Sequence, residues 1–233
     1  MDYKIVGESG YPLVNIFLNE SESIKFERGA MAYSINVNLE GKINSNKKGF
    51  GGFMSAIGRS LASGESMFIT RAIGMEQRSE IGIAPTIPGK ILCLQVNQTN
   101  QYRLNTDAFL ACDETVEYVM KKQSVGKAFF GGTGGLFVME TQGTGDILIS
   151  AFGDLLPLEV TPDTPIVIDN EHVVAWDASL NYDIQVASGT FGFKTGEGLV
   201  NKFKGQGKVL IQTRSIRNLA EAVNPFLTVS QSS

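Results

Sequence analysis

The sequence predicts an all-β chain, mainly strand with one or two short helices, built from three tandem β-units. Three observations lead there. The stretch Leu155–Tyr182 lies without a gap on Ile91–Tyr118 when slid back by 64 positions, so that Leu92, Leu94, Val96, Ala111, Asp113 and Tyr118 recur as Leu156, Leu158, Val160, Ala175, Asp177 and Tyr182. Short apolar stretches of period two, the spacing of a strand, are separated by turn residues. Glycine makes up 26 of 233 residues and is spread along the whole chain, which means many turns rather than one linker.

The first unit, about 13–74, opens on Leu13–Leu18, and its Ile24 and Phe26 stand where Tyr102 and Leu104, and Ile166 and Ile168, stand in the others. Met31, Tyr33, Ile35, Val37 and Leu39 then alternate with Ala32, Ser34, Asn36 and Asn38, predicting one continuous strand with a buried and a wet face. Ala32-Tyr33 is read as matching Ala111-Cys112 and Ala175-Trp176. Residues 53–62, FMSAIGRSLA, place Phe53, Ile57 and Leu61 on one side of a helix. The unit closes on Met67-Phe68-Ile69, as the others close on Ile147-Leu148-Ile149 and Val209-Leu210-Ile211.

Residues 75–90 carry two prolines and read as an extra strand or hairpin turning near Pro85–Gly89. In the second unit, about 91–153, Val116, Tyr118 and Met120 keep the period two of Leu180, Tyr182 and Ile184, so a strand is expected there despite helical propensity. The third unit, about 155–215, is followed by NLAEAV, a short helix with Asn218 as its N-cap that stops before Pro225, and by a frayed tail. One domain spanning 1–233 is expected, with the units in a pseudo-threefold arrangement. One-sided strands in units of this size leave edges open, so a homo-oligomer is expected as well.

Twenty basic against 24 acidic residues give a net charge of −4, which disfavours nucleic acid as a partner. No secretory leader or apolar membrane span is visible, so a cytoplasmic location is expected. Cys93 and Cys112 fit no metal spacing and read as free thiols in apolar strands. No metal, cofactor or catalytic residue is expected.

The candidate chemistry is sparse. KAFFGGTGGLF, 127–137, could cradle a phosphate, but the Lys-Ser or Lys-Thr of a Walker loop is replaced by Leu136-Phe137, and a hairpin turn is the better reading. Phe129 and Phe130 are either an exposed tip for a membrane or protein partner or a buried pair flanking that turn. His172, the single histidine, takes the place of Ala108 and reads as a surface or strand-edge residue. Trp176 is expected in a core or interface, Asp177 in turn or strand-end hydrogen bonding, and Arg214 in a pair with a carboxylate such as Asp177.

The ordered set Gly29-Ala30-Met31, Phe109-Leu110-Ala111, Val174-Ala175-Trp176-Asp177, GEGLVNKFKGQG and Gln212-Thr213-Arg214 resembles the altered-inheritance-of-mitochondria family, bacterial and archaeal proteins with a mitochondrial relative. The resemblance covers about Tyr3 to Leu227. It implies a β-rich fold similar to the tryptophan RNA-binding attenuation protein and, for the mitochondrial relative, a role in inner-membrane organisation. It supplies no catalytic residues. The expectation is a non-enzymatic, self-associating scaffold or interaction protein with a membrane-surface or protein partner. The alternative is a binding protein for a small ligand or RNA.

Overall fold

A computed structural model describes residues 1–7, 10–43, 68–122, 137–186 and 199–227. The chain is mostly β. After β1 (Asp2–Val6) come three successive groups of six strands. The first holds β2 (Leu13–Leu18), β3 (Ser23–Glu27), β4 (Met31–Ile35), β5 (Val37–Ile43), β6 (Phe68–Gly74) and β7 (Ser79–Ile83). The second holds β8 (Gly89–Val96), β9 (Tyr102–Asn105), β10 (Phe109–Asp113), β11 (Val116–Lys122), β12 (Phe137–Gly143) and β13 (Gly145–Phe152). The third holds β14 (Leu155–Val160), β15 (Ile166–Asp169), β16 (Val173–Asp177), β17 (Asn181–Val186), β18 (Leu199–Lys204) and β19 (Gly207–Gln212), followed by helix α1 (Ile216–Val223).

Pairing follows one order in every group: the first, sixth and third strands form one half-sheet, and the fourth, fifth and second form another. The half-sheets then join between groups. Sheet β5-β6-β3-β10-β13-β8 crosses from group one to group two, and β11-β12-β9-β16-β19-β14 crosses from two to three. At the ends, β1-β2-β7-β4 and β15-β18-β17 stay apart. The pairing within one chain is therefore an open series, and it does not by itself establish the pseudo-threefold arrangement expected above.

Three apolar layers lie between the four sheets. Val14, Ile16, Ile81 and Ile83 of the first sheet meet Ile24, Phe26, Ala111 and Leu148 of the second. The second sheet's other face, with Cys112, Ile147 and Ile149, meets Leu104, Val116 and Met139 of the third. The third sheet's remaining face, with Trp176 and Val209, meets Ile168 and Phe203 of the fourth. Burial on both faces explains why β10, β13 and β16 read as continuous apolar runs rather than alternating ones.

Several expectations need correction. The first group ends at Ile83, not Gly74, because Ile81-Gly82-Ile83 is its sixth strand; Ile69 belongs to the fifth, whereas Ile149 and Ile211 belong to the sixth. The spacing that equated them reflects a longer connection, residues 44–67, between the fourth and fifth strands of this group, against 123–136 and 187–198 in the others. The predicted long strand breaks at Asn36, whose φ of 54° ends β4 before β5 begins. Helix α1 begins before Asn218: Ser215 in extended conformation is the N-cap, its hydroxyl accepting the Asn218 N–H at 3.3 Å. The expected helix at 53–62, the glycine loop with Phe129 and Phe130, and the tail lie outside the described residues.

The register also shifts one equivalence. A bulge sets Met31, Phe109 and Val173 opposite Ile83, Ile149 and Ile211. Tyr33 therefore answers Ala111 and Ala175, while Ser34 answers Cys112 and Trp176. Group one has one residue fewer between this bulge and its fourth strand, which is why matching from Val37 backwards misplaces Tyr33.

Candidate functional site

The distinctive feature of this chain is the joint between consecutive groups, which occurs twice. At the first joint Ile24, Lys25 and Phe26 of β3 face Asp113, Cys112 and Ala111 of β10. At the second, Tyr102, Arg103 and Leu104 of β9 face Asp177, Trp176 and Ala175 of β16. Each joint is antiparallel and three pairs long, and each carries a basic residue at its centre.

Those two cations reach the same place. The Lys25 ammonium, buried at 6% exposure, donates to the Val116 carbonyl at 2.8 Å and lies 3.3 Å from Glu117 Oε1. Arg103 Nη1 donates to the Leu180 carbonyl at 3.0 Å, Nε donates to Glu140 at 2.7 Å, and the guanidinium stands 5.4 Å from the centre of the Tyr182 ring. Val116 and Leu180 both lie where the next group's fourth strand starts, so each cation fastens its own group to the one after it. Arg71 adds a second tie at the first joint through Glu114, Nε to Oε2 3.1 Å.

A shared latch finishes both joints. Asp113 Oδ2 accepts the Asp146 N–H, and Asp177 Oδ2 accepts the Lys208 N–H, each at 2.7 Å. A side chain on Gly145 (φ +141°) or on Gly207 would meet these carboxylates at 2.8 Å, so glycine there lets the aspartate close on the strand start. The recurrence of Asp113 and Asp177 thus has the strand-end hydrogen-bonding cause expected of it. The expected pair between Asp177 and Arg214 is not formed, because they serve opposite ends of β19: Asp177 holds its start, while Arg214 lies beyond its end and donates to the Thr213 carbonyl.

Trp176 is in the core, 2% exposed, edge-on to Tyr182 and Phe203 at 5.0 and 5.6 Å between ring centres. His172 is half-buried with Nδ1 2.7 Å from the Gln212 carbonyl oxygen, and Gln212 in turn accepts the Phe152 N–H and donates to Glu171. Gln212 and Thr213, which accepts the Asp154 N–H, tie the linker between groups two and three, a structural reason for that motif. Cys93 and Cys112 are free thiols.

A groove of about 480 Å³ opens beside the second joint between Thr99–Tyr102, Asp177–Ser179 and Lys208. Its two ionic groups are engaged: Asp177 holds the Lys208 N–H, and Lys208 Nζ lies 3.2 Å from Glu159. Among the described residues no group of three His, Cys, Asp or Glu is placed to hold a metal, and no helix is long and apolar enough to cross a membrane.

The family described as mitochondrial biogenesis AIM24 matches residues 3–214. The chain belongs to that family. An uncharacterized protein of Streptococcus pyogenes serotype M6 is 41% identical over 232 residues, covering 99% of this chain and 92% of its own length. A crystal structure of a Streptococcus pyogenes protein is similar at TM-score 0.80 with 38% identity, covering 97% of this chain and 99% of that one. The all-β architecture is thus shared with a solved relative, and the resemblance carried by the ordered motifs is a true family membership.

The central residues of the joints, Lys25 and Arg103, are not legible as functional in the sequence by themselves. The apolar positions on either side of them align in all three units, and comparing the residue between them would have singled out Lys25, Arg103 and Val167.

Proposed function

We propose that this AIM24-family protein is a non-enzymatic, self-associating β-scaffold whose copies join head to tail, β15 of one copy beside β4 of the next. The observation that carries the reading is the contrast between β4 and its counterparts. All five residues of β4 are exposed, whereas the first four of β10 and of β16 are buried, Leu110 and Ala111 against the first group and Val174 and Ala175 against the second. A third joint made like the internal two would extend the two terminal sheets into one of seven strands, the six of a joint plus β1.

The face of the first sheet supports the reading. Tyr33 lies over Gly82, where a side chain would fall 2.2 Å from its ring, and its hydroxyl donates to Glu80. The internal joints carry the inverse combination at these positions, Ala111 with Leu148 and Ala175 with Leu210. A large residue beside a small one replaces a small beside a large, which conserves volume on a surface that elsewhere is core. Ile35, 51% exposed, extends the same face. In this reading the three groups are copies of one unit, similar in fold to the attenuation protein, with closure supplied by other copies. In this reading the scaffold is cytoplasmic and organises a membrane-surface or protein partner.

Native mass spectrometry and light scattering at micromolar concentration test the reading. The expected species are multiples of the 25.2 kDa chain. Ile35→Lys, on an exposed position, should return the chain to monomer while its β-sheet circular dichroism is unchanged. A wild-type protein that is monomeric throughout would refute the proposal.

A further inference from the structure

The two internal joints predict the register and chemistry of the third. Val167 on β15 pairs with Lys202 as Lys25 pairs with Arg71 and Arg103 with Glu140, so the three residues are equivalent. Carrying the pairs across, Ile168 would face Tyr33 of the next copy, Val167 would face Ser34, and Ile166 would face Ile35. The carbonyl in the place of Val116 and Leu180 would be that of Val37. Val167 is 59% exposed and has no group to donate to it.

Resting on head-to-tail association, we infer that the joint between copies is the labile one of the three, because Val167 stands where Lys25 and Arg103 fasten the joints inside the chain. The difference is chemical rather than steric. The flanking pairs at the third joint are apolar, Ile166 and Ile168 against Ile35 and Tyr33, so association has its hydrophobic drive. What it lacks is the charge-assisted hydrogen bond to the start of the next fourth strand, the directional contact that would hold register against sliding and slow separation. It also lacks the carboxylate that accompanies Lys25: Asn38, one residue after Val37, takes the place of Glu117, one residue after Val116. Internal joints are held closed by the covalent chain as well as by their cations, whereas the joint between copies depends on contacts alone. The arrangement suits an assembly whose copies exchange while each copy stays folded.

The partner implied is a second copy of this chain, and the residue that sets its residence time is Val167. Exchange between donor- and acceptor-labelled full-length copies, followed by energy transfer after mixing preformed assemblies, measures that time. Val167→Lys introduces a donor at an exposed position of the separate chain, and exchange is expected to slow about tenfold or more, the scale of one charged hydrogen bond. Val167→Lys with Asn38→Glu reproduces the Lys25–Glu117 pair and should slow it further, whereas Val167→Glu should accelerate it. Exchange by Val167→Lys at the wild-type rate or faster, in assemblies of unchanged size, would overturn the labile-joint inference while leaving head-to-tail association standing. A wild-type chain that never associates would remove both.

Discussion

Replacing Lys25 by methionine tests whether a central cation fastens an internal joint. Methionine keeps most of the aliphatic stem, so the change in packing is small. Two interactions are lost. The contact with Glu117 counts for little, because that carboxylate is 67% exposed and screened by solvent, roughly 0–1 kcal/mol. The hydrogen bond to the Val116 carbonyl at 2.8 Å is charge-assisted and lies where both residues are buried, and such bonds contribute about 1.5–3 kcal/mol. Removing a buried ammonium returns part of its desolvation cost, so the net loss should be about 1–3 kcal/mol. Urea unfolding followed by fluorescence of Trp176 and by circular dichroism should show a lower midpoint with an unchanged slope. Glu117→Gln should shift it by less than about 1 kcal/mol. A methionine variant within about 0.5 kcal/mol of wild type, or more stable, would refute the role assigned to the cation.

Two further predictions concern titration. Burial works against the charged form of Glu140, but hydrogen bonds from Lys121 at 2.6 Å and Arg103 at 2.7 Å hold its carboxyl below the ordinary 4.5. A lowered folded value means this stabilisation is present above pH 4.5 and is lost as pH falls through the folded value. The stability gap between wild type and Glu140→Gln should therefore be greatest near neutrality and shrink in acid; a gap that widens in acid would contradict the ion-pair account. Burial pushes the Cys112 thiol up to about 12, with Lys25 acting in the opposite sense, so in a Cys93→Ser protein it should resist a thiol reagent at pH 8 until urea unfolds the chain. Rapid labelling of the folded protein would show that the joint opens.

The sequence revealed the strands wherever one period persisted, as in Val116–Met120, and it revealed the correspondence of Ile91–Tyr118 with Leu155–Tyr182 because no insertion separates them. It misled at the first group because residues 44–67 lengthen one connection, displacing Ile81-Gly82-Ile83 beyond the expected boundary. Ser215 was hidden as a cap because Asn218 is an equally good capping residue by composition, and only the backbone conformation decides between them. The joints were hidden for a different reason. Which strands of consecutive groups become neighbours depends on pairing between elements that are far apart in the chain, and no local pattern encodes that.

Period-two alternation in Met31–Leu39 is the clearest strand signal in the sequence, yet of its apolar residues only Val37 packs on the chain's own core, while Met31, Tyr33, Ile35 and Leu39 are exposed. Tyr33 and Ile35 share a face with Gly82 and Glu80, away from Ile81, which is fully buried on the other side of β7. Ser34 points with Ile81, at the place where Cys112 and Trp176 occupy the cores of the next two groups. An apolar face turned outward on an edge strand is a hazard that proteins ordinarily blunt with charge or proline, and β4 has neither. The corresponding faces of β10 and β16 are each covered by the group before them, and β4 has no preceding group in its own chain. This outward apolar face is the observation behind the proposed head-to-tail association, in which the third group of another copy would cover it.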